Sequence, residues 1–155
     1  NDWMSTYAMA VNEENAAAVA RIQALWRALG MRLVETAPDE HDRLLAMTSH
    51  LPHLAAAALA QHLRRGPAGS FETISALVGP GFRDTTRIAM GSPAMWEDIF
   101  FENADEVLRA TDLFLDVLNE ARRALREKDR KALRALLEEA MQTRARLEKP
   151  PQPKE

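Results

Sequence analysis

The sequence predicts a mainly α protein, a helical domain entered from a short strand–helix–strand piece. Two observations carry that reading. From His41 onward almost every segment repeats its apolar residues at helical spacing, and its prolines and glycines fall where helices begin or end. The β-like stretches, YAMAV at 7–11 and MRLVE at 31–35, both lie near the start of the chain.

Length and composition bound the alternatives. A chain of 155 residues suits one domain, or one domain carrying a fragment of a neighbour. Hydrophobic residues make up 46% and charged residues 28%, ordinary proportions for a soluble globular protein. The formal net charge of −3 argues against nucleic acid or a membrane surface as the main partner. Cysteine is absent, which excludes disulfides and thiolate metal sites and favours a cytoplasmic location. The chain opens at Asn1 with no basic segment ahead of an apolar run, so no signal peptide is expected, and the start is read as lying partway through a longer protein. Residues 44–63 carry no formal charge and match a membrane span in length. They include Thr48, Ser49, His50, Pro52, His53, Gln61 and His62, so the stretch reads as a buried central helix.

Taken in order, strand 7–11 is followed by possible caps at Asn12 and Asn15 and a helix over 16–29, where Val19, Ile22, Trp26 and Leu29 share one face. Gly30 ends that helix, and strand 31–35 follows. Such a βαβ unit cannot stand as a domain; it reads as the trailing edge of a larger α/β domain. Ala37-Pro38-Asp39 marks a joint. A long helix then spans about 40–63 with Pro52 inside it, and a loop covers 64–70. A short helix at 71–78 leads to a sharp Gly79-Pro80-Gly81 turn and a brief helix over 82–90. Ser92-Pro93 is a cap followed by proline at the first helical position, and Asn103 with Glu106 forms a capping pair for a helix running to about Lys128. Asp129 caps a last helix ending near Glu148, before a tail, PPQPKE, expected to be disordered.

Two motifs carry chemistry. In Ser49-His50-Leu51-Pro52-His53 the serine and both histidines crowd one side of a helix, while Pro52 cannot donate to the Thr48 carbonyl and opens that turn. A polar group in such an apolar place costs roughly 1–3 kcal/mol if left without a partner. A bound polar ligand would satisfy these groups; a kinked core helix whose histidines bond nearby carbonyls is the plainer reading. Metal is the weaker rival, because Asp42 is the only carboxylate at helical spacing from His41 and His50. In Gly79-Pro80-Gly81-Phe82-Arg83-Asp84-Thr85-Thr86-Arg87, the glycines allow a turn beside a helix start, a natural anion site. Arg87 supplies a permanently charged fork suited to a carboxylate, and Asp84 three residues before it could hold that fork. An ordinary surface Arg–Asp pair remains open.

In this order, HDRLLAMTSHLPH, GFRDTTRIA and SPAMWEDIF resemble the prephenate dehydrogenase family, which includes arogenate and cyclohexadienyl dehydrogenases. The segment ALWRALGMRLVE resembles the last helix and strand of that family's Rossmann-like nucleotide-binding domain. The resemblance implies residues 1–37 as the edge of a nucleotide-binding domain, 38–149 as a helical substrate-binding and dimerisation domain, and 150–155 as tail. It implies oxidation of prephenate or arogenate with NAD or NADP, hydride leaving the hydroxyl-bearing ring carbon and CO2 loss aromatising the product. By resemblance Arg87 is the carboxylate ligand, and His50, His53 and Ser49 form the polar pocket wall. Asp84 and Gly81 belong to a gating network, and Trp96 is an aromatic near the site, contributed by a partner subunit. Pro80 departs from the family's usual triple glycine. No G-x-G-x-x-G occurs in these 155 residues, and the catalytic histidine of the family is not matched, so the chain alone is expected to be inactive.

Phe100, Phe101, Val107, Leu108, Leu113, Phe114, Leu115, Val117 and Leu118 make an apolar face wider than one packing stripe, which fits the family's homodimer. Residues 119–149 carry ten Lys or Arg against six Asp or Glu, read as a solvated outer face rather than a nucleic-acid surface. A non-catalytic helical dimerisation module with a relict carboxylate pocket is the alternative.

Overall fold

The structure is a computed structural model describing residues 6–10, 16–65 and 70–148. Val11, the caps expected at Asn12 and Asn15, the loop at 66–69 and the tail at 150–155 lie outside the described residues. The chain divides into two compact units, Asn1–Ala110 and Thr111–Glu155.

The first unit opens with β1 (Thr6–Ala10), α1 (Ala16–Ala28) and β2 (Arg32–Thr36). The strands pair in parallel, Thr6 opposite Arg32 through Ala10 opposite Thr36, as a helical crossover between them requires. Gly30 takes φ +77°, the left-handed conformation that ends α1. Of the four apolar positions expected on one face of α1, Val19 is buried and Trp26 half-buried, whereas Ile22 and Leu29 are exposed. Two strands offer a helix too little surface to cover a full apolar stripe. Gln23 is buried instead, its Nε2 donating to Glu35 Oε1 at 2.8 Å.

The long helix predicted over 40–63 is three consecutive pieces: α2 (Pro38–Leu45), a π-helical turn (Ala46–His50) and α3 (Leu51–Arg65). Pro38 starts α2 at its first turn, where a missing N–H is harmless. Then come α4 (Phe71–Leu77), capped by Ser70 Oγ accepting from the Thr73 N–H, and α5 (Pro80–Thr86), which tightens into a 3-10 turn at Arg87–Met90. The expected Gly79-Pro80-Gly81 turn is corrected. Gly79 is extended at the helix edge, Pro80 sits in the first turn, and Gly81 is helical with a negative φ. Proline's fixed φ suits a helix start, so the glycines' wider freedom goes unused.

Pro93–Glu102 form α6 and Ala104–Glu127 form α7, separated by the single break at Asn103. Ser92 precedes α6 but makes no side-chain cap, and Glu106 bonds to Arg109 at 2.6 Å. Ala46, Val107 and Ala110 form the buried cluster of the first unit, with Leu51, Leu54 and Phe100 packed against it. That cluster ties the π turn to α6 and α7.

In the second unit α7 ends at Glu127, Lys128 follows with φ 56°, and α8 (Arg130–Leu147) returns. Asp129 caps α8, one carboxylate oxygen accepting from the N–H groups of Lys131 (3.0 Å) and Ala132 (2.9 Å). Residues of α7 and α8, among them Val117, Ala124, Leu136 and Ala140, line a groove of about 470 Å3. Asp129→Ala should cost about 1 kcal/mol, while Ser92→Ala, with no cap bond to lose, should stay under about 0.5 kcal/mol; urea unfolding of the two variants checks the contrast.

Candidate functional site

Pro52 sets the local geometry. It has no N–H to offer the Thr48 carbonyl, and the helix responds just before it by widening. The Leu51 N–H donates to the Ala46 carbonyl five residues back. Thr48 Oγ1 donates to the Leu44 carbonyl at 2.7 Å, holding the preceding turn. The kink expected from Pro52 is therefore a π turn, and two histidines bracket its end.

Those histidines meet Trp96 of the same chain. The His53 ring stacks on the indole with centroids 3.6 Å apart and planes 12° from parallel. His50 approaches edge-on, 6.4 Å away at 79°. Phe100 backs the pair, 5.6 Å from Trp96 and 6.2 Å from His53. Trp96 and His53 of the same protomer stack because Pro93 starts α6 close enough to α3 for the indole to reach the imidazole. Gly91 makes room for it. A Cβ at Gly91 would lie 2.6 Å from Trp96 Nε1, closer than a Cβ comes to another atom, and 3.1 Å from His53 Cε1, a tight contact.

Both imidazoles are largely covered, His50 9% and His53 5% exposed. Burial lowers the pKa of His50; Asp42 opposes this and His41 reinforces it. Burial alone lowers that of His53. His50 Nδ1 lies 3.3 Å from Asn103 Nδ2, which also donates to the Asp42 carbonyl at 2.8 Å. No buried polar side-chain atom among the described residues lacks a hydrogen-bond partner. The ring nitrogens of His53 and Nε2 of His50 have none, so they must reach solvent-accessible space. Two neutral histidines thus present free nitrogens from an apolar wall.

The remaining expected residues are more scattered. Ser49 is half-buried within the π turn and makes no hydrogen bond to a described residue. Arg87 is exposed and begins the 3-10 turn that packs along α3. The expected Asp84–Arg87 pair does not form, and among the described residues neither side chain has an ion-pair partner. Both are exposed, and an exposed pair gains little in water over two solvated ions. Gly81 supplies its carbonyl to Thr85 Oγ1 at 2.7 Å, an internal helix bond. The structure thus unites His50, His53 and Trp96 and leaves Arg87 unpaired on the adjoining turn.

Asn103, Gly91 and Phe100 escaped the sequence reading of the site. The sequence signal for Asn103 was spent on helix capping, and nothing local marks Gly91 as a packing glycine. A separate open cleft of about 560 Å3 is lined by Asp39, Asp42, Glu102, Asp105 and Glu106, with Arg43 the only basic side chain. Its charge repels a dicarboxylate, so it is a poorer anion seat than the side bearing Arg87. Among the described residues no three His, Asp or Glu side chains are placed to hold a metal.

The lowered histidine pKa values fix a pH dependence. Unfolded histidines titrate near 6.5, and both folded rings bind their proton less readily. Their contribution to stability is present above that value and lost as pH falls through the lower folded values. Urea midpoints should therefore drop from pH 7.5 toward pH 5.5, and His50→Gln together with His53→Gln should flatten the decline.

Known proteins bear on this geometry. The family model described as "Prephenate dehydrogenase, dimerization domain" matches residues 37–139. A prephenate dehydrogenase of Bacillus subtilis (strain 168) is 34% identical over 112 residues, 72% of this chain and 30% of that protein. A cyclohexadienyl dehydrogenase of Zymomonas mobilis is 36% identical over 114 residues, 74% of this chain and 39% of that protein. The chain thus spans well under half the length of these relatives. The crystal structure of prephenate dehydrogenase from A. aeolicus in complex with hydroxyphenyl propionate and NAD+ superposes with a TM-score of 0.81 at 28% identity, over 92% of this chain and 50% of that one. Synechocystis arogenate dehydrogenase, at 24% identity and a TM-score of 0.79, shares the fold over 92% of this chain and 52% of that one. With a family model covering 37–139 and the same mainly α architecture, this chain belongs to the prephenate dehydrogenase family, in its dimerization domain.

Proposed function

We propose that this chain is the substrate-binding and dimerising part of an NAD(P)-dependent prephenate or arogenate dehydrogenase acting in tyrosine biosynthesis in the cytoplasm. The observation that carries the reading is the His50–His53–Trp96 cluster beside a turn whose arginine is unpaired. Residues 38–149 form the helical part, 1–37 the edge of a nucleotide-binding domain, and 150–155 a tail; the start of the matched stretch at residue 37 supports that division.

In this reading Arg87 grips a substrate carboxylate with two parallel hydrogen bonds, for which its lack of an internal partner leaves it available. His50 and His53, neutral through burial, offer polar contacts without adding charge, and Ser49 contributes a hydroxyl beside them. Trp96 stacked on His53 keeps that ring from rotating, so its nitrogens stay aimed. Asp84 and the Gly81 segment support the approach to Arg87. The reaction of the whole enzyme would be an oxidative decarboxylation: a nicotinamide cofactor would accept the hydride from the ring carbon that bears the hydroxyl, and the ring carboxylate would leave as CO2 as the ring aromatises.

The residues present do not fit a nicotinamide cofactor: no G-x-G-x-x-G occurs, and the described sheet has two strands around one crossover. In this reading the 155 residues by themselves are inactive. Ligand binding separates a live pocket from a relict one. Prephenate, or hydroxyphenyl propionate as its stable stand-in, should raise the melting temperature of the chain, by about 2.7 kcal/mol of added stability at a hundred times Kd. Arg87→Ala should abolish the shift. A wild-type chain unmoved by millimolar ligand would leave the helical association module as the better reading, and reduced-cofactor absorbance should stay at background when NAD or NADP and prephenate are added together.

The homodimer is supported by apolar residues the chain leaves uncovered. Phe101 is 75% exposed, and Leu108 and Leu113 are each 61% exposed, though Val107 and half-buried Phe100 are used internally. A stable dimer buries about 800 Å2 per partner, and such side chains would supply part of that area against another subunit. Sedimentation equilibrium at micromolar concentration should give twice the chain mass; a monomer would refute the dimer.

A further inference from the structure

We propose that Asn103 is a positioning residue that fixes His50 as its Nε2–H tautomer, so that this ring meets a ligand only as a hydrogen-bond donor. For the ligand the inference rests on the pocket reading above; for the tautomer it rests on geometry alone.

The Asp42 carbonyl oxygen can only accept. Asn103 lies 2.8 Å from it through Nδ2, so the amide must turn its NH2 end that way. The same nitrogen lies 3.3 Å from His50 Nδ1. An amide NH2 cannot accept, so Nδ1 must receive the bond on its lone pair. The single proton of the neutral ring is then on Nε2. The usual freedom of an asparagine to flip is removed by a backbone group, and the histidine inherits the constraint.

Each partner is held independently. Asp42 stands near the end of α2, where its carbonyl also takes the Ala46 N–H. Asn103 occupies the break between α6 and α7 with φ −121° and ψ 34°, and its own carbonyl accepts the Val107 N–H that starts α7. Around His50 stand His41 and Asp42 from α2, His53 from α3, Trp96 from α6 and Asn103. His41 Nδ1 is engaged by Asp42 Oδ1 at 3.0 Å. That leaves Asn103 as the group that contacts His50 Nδ1. Protonating the ring would set an N–H against the NH2, and burial disfavours the charge as well.

A donor-only Nε2–H receives an oxygen acceptor such as a carboxylate, ketone or hydroxyl and gives nothing to an ammonium group. His50 is therefore assigned to an oxygen of the substrate, not to an amine.

The test is the side-chain 1H–15N correlation spectrum of the 15N-histidine-labelled 155-residue chain without ligand at pH 7.5, the His50 signals being identified by their loss in His50→Gln. The Nε2–H pattern is expected. In Asn103→Asp the carboxylate accepts from Nδ1–H, so the ring should switch to the Nδ1–H or doubly protonated pattern, and affinity for hydroxyphenyl propionate should fall on the order of tenfold. A wild-type Nδ1–H pattern, or an Asn103→Asp spectrum identical to wild type, overturns the proposal. Should Asn103→Asp not fold, the wild-type spectrum decides alone. An Nε2–H ring in a chain that binds no ligand upholds the tautomer assignment and sinks the pocket reading instead.

Discussion

One missing hydrogen shapes the candidate site. Pro52 has no N–H, the turn ahead of it widens into a π helix, and the residues at the end of that turn are His50 and, one α-helical turn on, His53. An unbroken α-helix would still place the two histidines on neighbouring positions. The wide turn adds displacement: the Leu51 N–H reaches back five residues to Ala46, and the side chains beyond it are rotated relative to those of α2. The cost of the irregular turn is offset by packing, since Ala46 at its start belongs to the buried cluster with Val107 and Ala110.

The site is assembled by layers that each limit the next. Gly91 lets the indole of Trp96 come close, Trp96 lies flat on His53, and Phe100 stands behind both. Asn103 does for His50 what Trp96 does for His53, with hydrogen bonds in place of stacking. The two rings are thus held by different forces, one by aromatic contact and one by a polar link to backbone. A neutral, oriented imidazole suits recognition of a small anion beside an arginine, because it adds a directional bond without competing for the charge.

The distribution of burial separates what the chain completes by itself from what it leaves open. The π turn, α6 and the start of α7 share a small core of alanine, valine and phenylalanine. None of the large side chains described is fully buried, and Ile22 and Leu25 of α1, with Leu29 just after it, stay exposed beside a sheet of two described strands. Apolar faces of that extent are ordinary where a domain meets further protein. The family membership accords with this, because the matched stretches make up only 30% and 39% of the relatives' lengths.

Much of the fold was legible in the sequence because its signals are local. The 3.6-residue repeat marks the helices, Gly30 marks the end of α1, Asp129 the start of α8, and Pro52 the irregularity in the central helix, each through its own backbone chemistry. His50, His53 and Trp96 could be singled out as residues but not joined, since nothing in a sequence states that α3 and α6 stack ring on ring. Tertiary structure alone decided that Asn103 serves Asp42 and His50 rather than a helix cap, that Asp84 and Arg87 stay apart, and that Gly91 is small because an indole passes over it. The physical reason is one of range. Capping, turn and periodicity effects act within about four residues, whereas the choice of partner for a side chain depends on which distant backbone groups packing brings within roughly 3 Å.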